Sequence, residues 1–150
     1  MFSRTESIYI EATPAIVFDY VSDVSRHPEW AHDQLEITMG PEPQKQAGAT
    51  FDYETHFMGN AWGKGIVTEA DPPHSLTYEC EDKDGRYRWT FDLQPEGPGT
   101  RLTHRMLRLK APAYFKVLQP MMYPIIGKRV VVGGLKNIKA KVESFRPAPN

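Results

Sequence analysis

Between Leu35 and Met106 apolar and polar positions alternate with a period of two. Leu35, Ile37 and Met39 form one run, and Phe51, Tyr53, Thr55 and Phe57 form the next. Ile66-Val67, then Leu76, Tyr78 and Cys80, then Tyr87, Trp89, Phe91 and Leu93, and finally Leu102, His104 and Met106 continue the series. Turn chemistry separates the runs at Gly40-Pro41, Gly59-Asn60, Asp71-Pro72-Pro73, Asp84-Gly85 and Gly97-Pro98-Gly99. Alternating runs joined by short turns predict an antiparallel meander, because parallel strands would need helical crossovers.

The two ends of the chain read differently. A first strand is expected over about residues 2–11, with Ile8 and Ile10 facing one way. Thr13-Pro14 is a helix start, a hydroxyl N-cap followed by a proline in the first turn. Val17, Tyr20, Val21 and Val24 then repeat at helical spacing. Ser25 is placed to cap a second, very short helix carrying Pro28 and Trp30, with Asp23 at the break. After Lys110-Ala111-Pro112 the pattern turns helical again. From about Ile126 to Phe145 the stripe Val130, Leu135, Ile138, Val142, Phe145 predicts a rod of roughly 30 Å. Pro120 and Pro124 are expected to kink or delay its start. Gly133-Gly134 either brings the helix close to a neighbour or leaves room for a ligand.

The expected fold class is therefore α+β. A curved antiparallel sheet of about six to seven strands surrounds one long C-terminal helix, with two short helices after strand 1. Such a sheet must bury its apolar face, and a single helix does not fill the concavity. A cavity is expected near the short helices. One domain spans residues 1–146, and the proline-rich residues 147–150 form a loose tail.

Composition narrows the function. The chain has 150 residues, 40% hydrophobic and 25% charged, with a formal net charge of -1. That balance is globular and creates no global field for nucleic acid. Lys and Arg are scattered, with a mild enrichment between Lys128 and Lys141. The N-terminal residues lack the apolar stretch of a signal peptide, and the apolar segment 117–132 is too short and too broken to insert stably in a membrane. Cys80 is the single cysteine, which fits a reducing cytoplasm and a role as a small core residue. An exposed strand edge would allow either a monomer or a homodimer.

Candidate chemistry lies on the inward face. Tyr53, Phe57, Tyr78, Trp89, His104 and Met106 should point toward the helix, which contributes Met122, Tyr123 and Ile126. Trp30 is expected beneath the short helices, closing one mouth. Aromatic walls with a few polar tips suit a flat apolar ligand. His104 is the candidate catalytic group, a general acid or base, with Tyr53 and Tyr78 as candidate polarising donors. Its alternative role is a hydrogen-bonded core histidine. Asp52, Glu54 and His56 share the opposite face and read as a solvated polar surface rather than a metal cluster. His27 and His32 flank Trp30 without a metal-ligand pattern, and Gly63-Lys64-Gly65 falls within a strand and not in a phosphate loop. No metal and no cofactor is expected.

Several stretches resemble a known superfamily over nearly the whole chain. They are Ile10-Glu11-Ala12-Thr13-Pro14 leading to Val17-Phe18-Asp19-Tyr20-Val21-Ser22-Asp23, His27-Pro28-Glu29-Trp30, Ala47-Gly48-Ala49 and Val67-Thr68-Glu69-Ala70-Asp71-Pro72-Pro73 with Leu76. Trp89-Thr90-Phe91-Asp92-Leu93, Gly99-Thr100-Arg101-Leu102-Thr103 and Gly134-Leu135-Lys136-Asn137-Ile138-Lys139 complete the series. The chain resembles the START/Bet v 1-like (SRPBCC) superfamily and, within it, the polyketide cyclase/dehydrase-like branch. The resemblance implies a helix-grip fold and a hydrophobic small-molecule partner such as a lipid, an aromatic polyketide or a quinone. Its alternative implication is a polyketide aromatase/cyclase or dehydratase using His104.

Overall fold

The computed structural model describes residues 2–31, 34–56 and 59–145. Strand β1 (Ser3–Ile10) is followed by helix α1 (Pro14–Val21) and a 3-10 turn (Val24–Glu29). Then come β2 (Leu35–Met39), β3 (Thr50–Thr55), β4 (Ala61–Asp71), β5 (Ser75–Asp82), β6 (Gly85–Glu96) and β7 (Gly99–Lys110). The C-terminal helix consists of α2 (Ala113–Met122), a π-helical turn (Tyr123–Gly127) and α3 (Lys128–Glu143). The strands form one sheet in the order β1-β7-β6-β5-β4-β3-β2, with every neighbouring pair antiparallel. Register shifts at Val67/Glu69 and at Arg86/Tyr87 locally break the ladder, and such bulges bend a sheet.

Local chemistry explains the short elements. Thr13 caps α1 by accepting the Ile16 amide, with Pro14 in the first turn, and α1 buries Val17, Phe18, Tyr20 and Val21. The second short helix is a single 3-10 stretch. Asp23 flanks it without capping an amide, and its carboxylate accepts the Ser25 hydroxyl instead. At the β7 start the Thr100 hydroxyl donates to the Ala12 carbonyl at 2.7 Å, tying the last hairpin to the entrance of α1.

The long helix begins earlier than the prolines suggest. It starts at Ala113, runs through Pro120, and reaches Glu143. Pro124 sits at the start of the π-turn, where the wider helical spacing tolerates a residue without an N–H donor. α3 buries Leu135, Ile138 and Val142. Gly134 serves close packing: a Cβ there would sit 3.3 Å from the Trp30 ring. The contact is with the segment that follows the 3-10 turn. Asn137 Nδ2 fastens it by donating to the Trp30 carbonyl at 3.0 Å.

Two strand glycines also make room for rings. Phe51 pairs with Gly65 and Tyr53 with Gly63 across β3 and β4. A Cβ at either glycine would land on the ring of its partner. The motif at Gly63-Lys64-Gly65 thus lets two aromatic side chains lie flat across β4 toward the interior.

Candidate functional site

The sheet and the C-terminal helix enclose a cavity of about 350 Å³. One end is aromatic, built by Trp30, Phe51, Tyr78, Trp89 and His104, with Met106 beside them. The other end is polar, with Asp82 and Asp84 from the β5–β6 turn, Tyr53, Thr55 and Gln119. Phe115 on α2 also lines the cavity. The interior is therefore graded along its length, apolar near α3 and hydrogen-bonding near α2.

His104 is buried within an aromatic stack. Its ring lies 4.1 Å from Phe91 with planes 7° apart, and 5.0 Å from Trp89. Trp30 meets it edge-on at 6.2 Å. Its Nε2 and the Trp30 Nε1 have no hydrogen-bond partner among the described residues. Burial, with a smaller contribution from the neighbouring His27, pushes the His104 pKa down to about 3. His27 is also buried. Its Nε2 lies 2.9 Å from the Val21 carbonyl, and burial holds its pKa at about 4. Both rings are neutral at pH 7.

At the polar end the Tyr53 hydroxyl donates to Asp82 Oδ2 at 2.7 Å. The second oxygen of Asp82 accepts the Asp84 amide at 2.8 Å. Burial and the adjacent Cys80 and Asp82 raise the Tyr53 pKa well above its ordinary value. Tyr78 is raised chiefly by burial. Cys80 lines the same wall, and burial pushes its thiol far up, leaving a thiol and not a thiolate. On α2 the Gln119 side chain accepts from Arg108 at 3.0 Å.

The structure brings Trp30, Tyr53, Tyr78, Trp89, His104, Met106 and Tyr123 to the cavity wall. Phe57 lies outside the described residues, as does His32. Met122 and Ile126 do not line the cavity. The inward stripe of the helix is Phe115, Gln119, Tyr123, Gly127, Val130 and Val131. Met122 sits about 100° around the axis from Tyr123, and Ile126 falls inside the π-turn, whose wider spacing shifts the phase that a regular helix would give it. His27, Cys80, Asp82 and Gln119 are wall residues that alternation and stripe spacing did not single out for the cavity. Cys80 carries the signal of a polarisable side chain in an apolar run, whereas His27, between Arg26 and Pro28, and Asp82 and Gln119 carry none.

On the outer face, His56 Nε2 lies 3.6 Å from Glu54 and 3.9 Å from Glu36, and Nδ1 lies 2.8 Å from Asn60 Oδ1. Glu36 is the cross-strand partner of Glu54. Asp52 turns instead to Lys64 at 3.5 Å.

The sheet, the C-terminal helix and the cavity between them define a helix-grip protein of the SRPBCC class, a fold that holds hydrophobic ligands. Over residues 1–143 the chain matches the family described as polyketide cyclase / dehydrase and lipid transport, and it belongs to that family. The fold is similar to that of TTHA0849 from Thermus thermophilus (TM-score 0.79, 19% identity), covering 97% of this chain and 100% of that one. It is also similar to the Zhui aromatase/cyclase from Streptomyces sp. R1128 (TM-score 0.72, 12% identity), covering 95% and 93%. The di-domain ARO/CYC StfQ of the steffimycin biosynthetic pathway matches with a TM-score of 0.76 and 14% identity, covering 95% of this chain and 51% of that one. None of the curated proteins matches the chain in sequence. Among the described residues no helix is long and apolar enough to cross a membrane.

Proposed function

We propose that the protein binds a flat hydrophobic small molecule, such as an aromatic polyketide, a quinone or a lipid, between the sheet and the C-terminal helix. The graded cavity carries this reading. A ring system fits between Trp89, Tyr78 and Trp30, while oxygen substituents reach Tyr53, Thr55 and Gln119 at the other end. A lone cysteine held as a neutral thiol suits a reducing cytoplasm.

A second reading, a polyketide aromatase/cyclase or dehydratase, draws on the family description and the aromatase/cyclase neighbours. It would use His104 as acid or base. A ring with a pKa of about 3 is a neutral imidazole at neutral pH, without the imidazolium proton of a general acid, and is a weak base there. The binding reading is therefore preferred.

Native mass spectrometry of the purified protein, followed by titration with anthraquinones and fatty acids monitored through tryptophan emission, tests it. Trp30 and Trp89 line the cavity, so a ligand should quench their emission, and Cys80→Phe should weaken binding at least about tenfold by filling the wall. An absence of adduct, quenching and displacement across the panel would sink the reading. His104→Phe separates the two readings: affinity persists if the protein only binds, and turnover of a poly-ketone collapses if it catalyses.

A further inference from the structure

Among the described residues nine large hydrophobic side chains are exposed, and five of them lie together on one face of the C-terminal helix. Tyr114, Val117, Leu118, Met121 and Ile125 are each between 40% and 68% exposed. Their spacing of three or four residues places them in one stripe of roughly 16 Å. The opposite face of the same segment, through Phe115, Gln119 and Tyr123, lines the cavity. No residue of α2 is buried. The helix is thus apolar both toward the cavity and toward solvent.

Cations frame the stripe. Lys110 precedes it, and Lys128 and Arg129 continue it at the C-terminal end. All three are exposed, and none has an ion-pair partner among the described residues. The surrounding sequence is equally one-sided. Positions 97–142 hold ten Lys or Arg and no Asp or Glu, although the whole chain carries a net charge of -1. Asp82 and Asp84 near this end line the cavity, and Glu6 is engaged by the Tyr123 hydroxyl at 3.4 Å.

We infer that this face of α2 and the π-turn docks on an anionic lipid bilayer. A protruding apolar stripe with cations at both ends and a tyrosine at its edge has the chemistry of an interfacial helix. The charge pattern argues against a second copy. An antiparallel pairing of two such stripes would set Lys110 of one chain against Lys128 and Arg129 of the other. Docked this way, the protein lies on the bilayer without spanning it. Helix α2, which lines the cavity through Phe115 and Gln119, then lies between the lipid and the cavity, a position from which an apolar ligand can exchange. That consequence rests on the binding reading, whereas the docking does not.

Vesicle co-sedimentation of the full chain tests the docking. Phosphatidylcholine vesicles containing phosphatidylglycerol should retain the protein, pure phosphatidylcholine vesicles should retain far less, and high sodium chloride should release it. Each cation removed should lower the partition coefficient roughly fivefold, so Lys110→Glu with Lys128→Glu should cost more than tenfold. Val117→Asp with Ile125→Asp should also abolish retention, and since neither residue lines the cavity, anthraquinone quenching should be unchanged. Failure of wild-type protein to bind phosphatidylglycerol vesicles overturns the inference, as does equal retention of both double variants. A dimer in sedimentation velocity that the aspartate pair dissolves, without vesicle binding, overturns it in favour of a second copy.

Discussion

The His104 imidazole lies flat on the Phe91 ring, with centroids 4.1 Å apart and planes 7° from parallel. Register explains the pairing, since Phe91 and His104 are directly opposed on β6 and β7. Cross-strand neighbours on one face stand about 4.5–5.5 Å apart at Cβ, close enough for rings to stack. The stack excludes water from the imidazole and keeps it neutral.

This neutrality makes stability depend on pH. Both His104 and His27 have folded pKa values, about 3 and about 4, below the ordinary 6.5. The unfolded chain therefore takes up protons first as pH falls through 6.5. Stability is fully present above that value and is lost progressively down to pH 4 and below, by up to about 1.4 kcal/mol per pH unit for each histidine. Urea denaturation at pH 7.0 and 5.0 checks this. His104→Phe should shrink the difference in midpoint, and an unchanged difference would contradict the assignment.

Gly134 and Trp30 set how closely α3 approaches the segment after the 3-10 turn. Gly134→Val forces its branches into the indole and should destabilise by about 1–3 kcal/mol. Thermal melts measure the cost, and a gain in melting temperature would show that Trp30 yields freely. Because Trp30 also walls the cavity, ligand affinity should fall in the same variant.

Gly65 is the floor on which the Phe51 ring lies. Gly65→Ala places a methyl group on that ring and should cost about 2 kcal/mol or more. Gly48→Ala is a useful contrast: nothing lies within 4 Å of its Cβ, so its penalty comes only from a φ of +96°. The two variants should therefore differ in cavity probes, with only Gly65→Ala disturbing ligand binding.

Cys80 reports on the cavity from inside. Its thiol is pushed well above the ordinary range by burial, with Asp82 and Glu79 adding to the effect. Iodoacetamide should label the native protein slowly at pH 8 and the urea-unfolded protein quickly. A bound ligand should slow native labelling further, and rapid labelling of the native protein would show that the wall is open.

Much of the architecture was legible from periodicity. Alternation reported which strand residues face inward, because a strand has only two faces and the sheet buries one. Tyr53, Tyr78, Trp89, His104 and Met106 came to the wall on that basis. The helix was harder. Pro120 and Pro124 pointed to a late start, yet the chain stays helical from Ala113; the phase set by Phe115, Gln119 and Tyr123 turns Met122 aside, and the π-turn Tyr123–Gly127 shifts Ile126. The run of basic residues free of acids from position 97 was also in the sequence, but its meaning depends on which helix face the sheet leaves bare.

The sequence by itself determined the helix-grip order, the family and the aromatic character of the interior, since each follows from local periodicity, turn chemistry and motif order. Tertiary structure decided the rest. It set the neutral state of His104, because burial among Phe91, Trp89 and Trp30 depends on contacts between distant strands. It also joined Tyr53 to Asp82, 29 residues apart, and left the Tyr114–Ile125 stripe uncovered, because sheet curvature governs how much of a helix one concave face can reach.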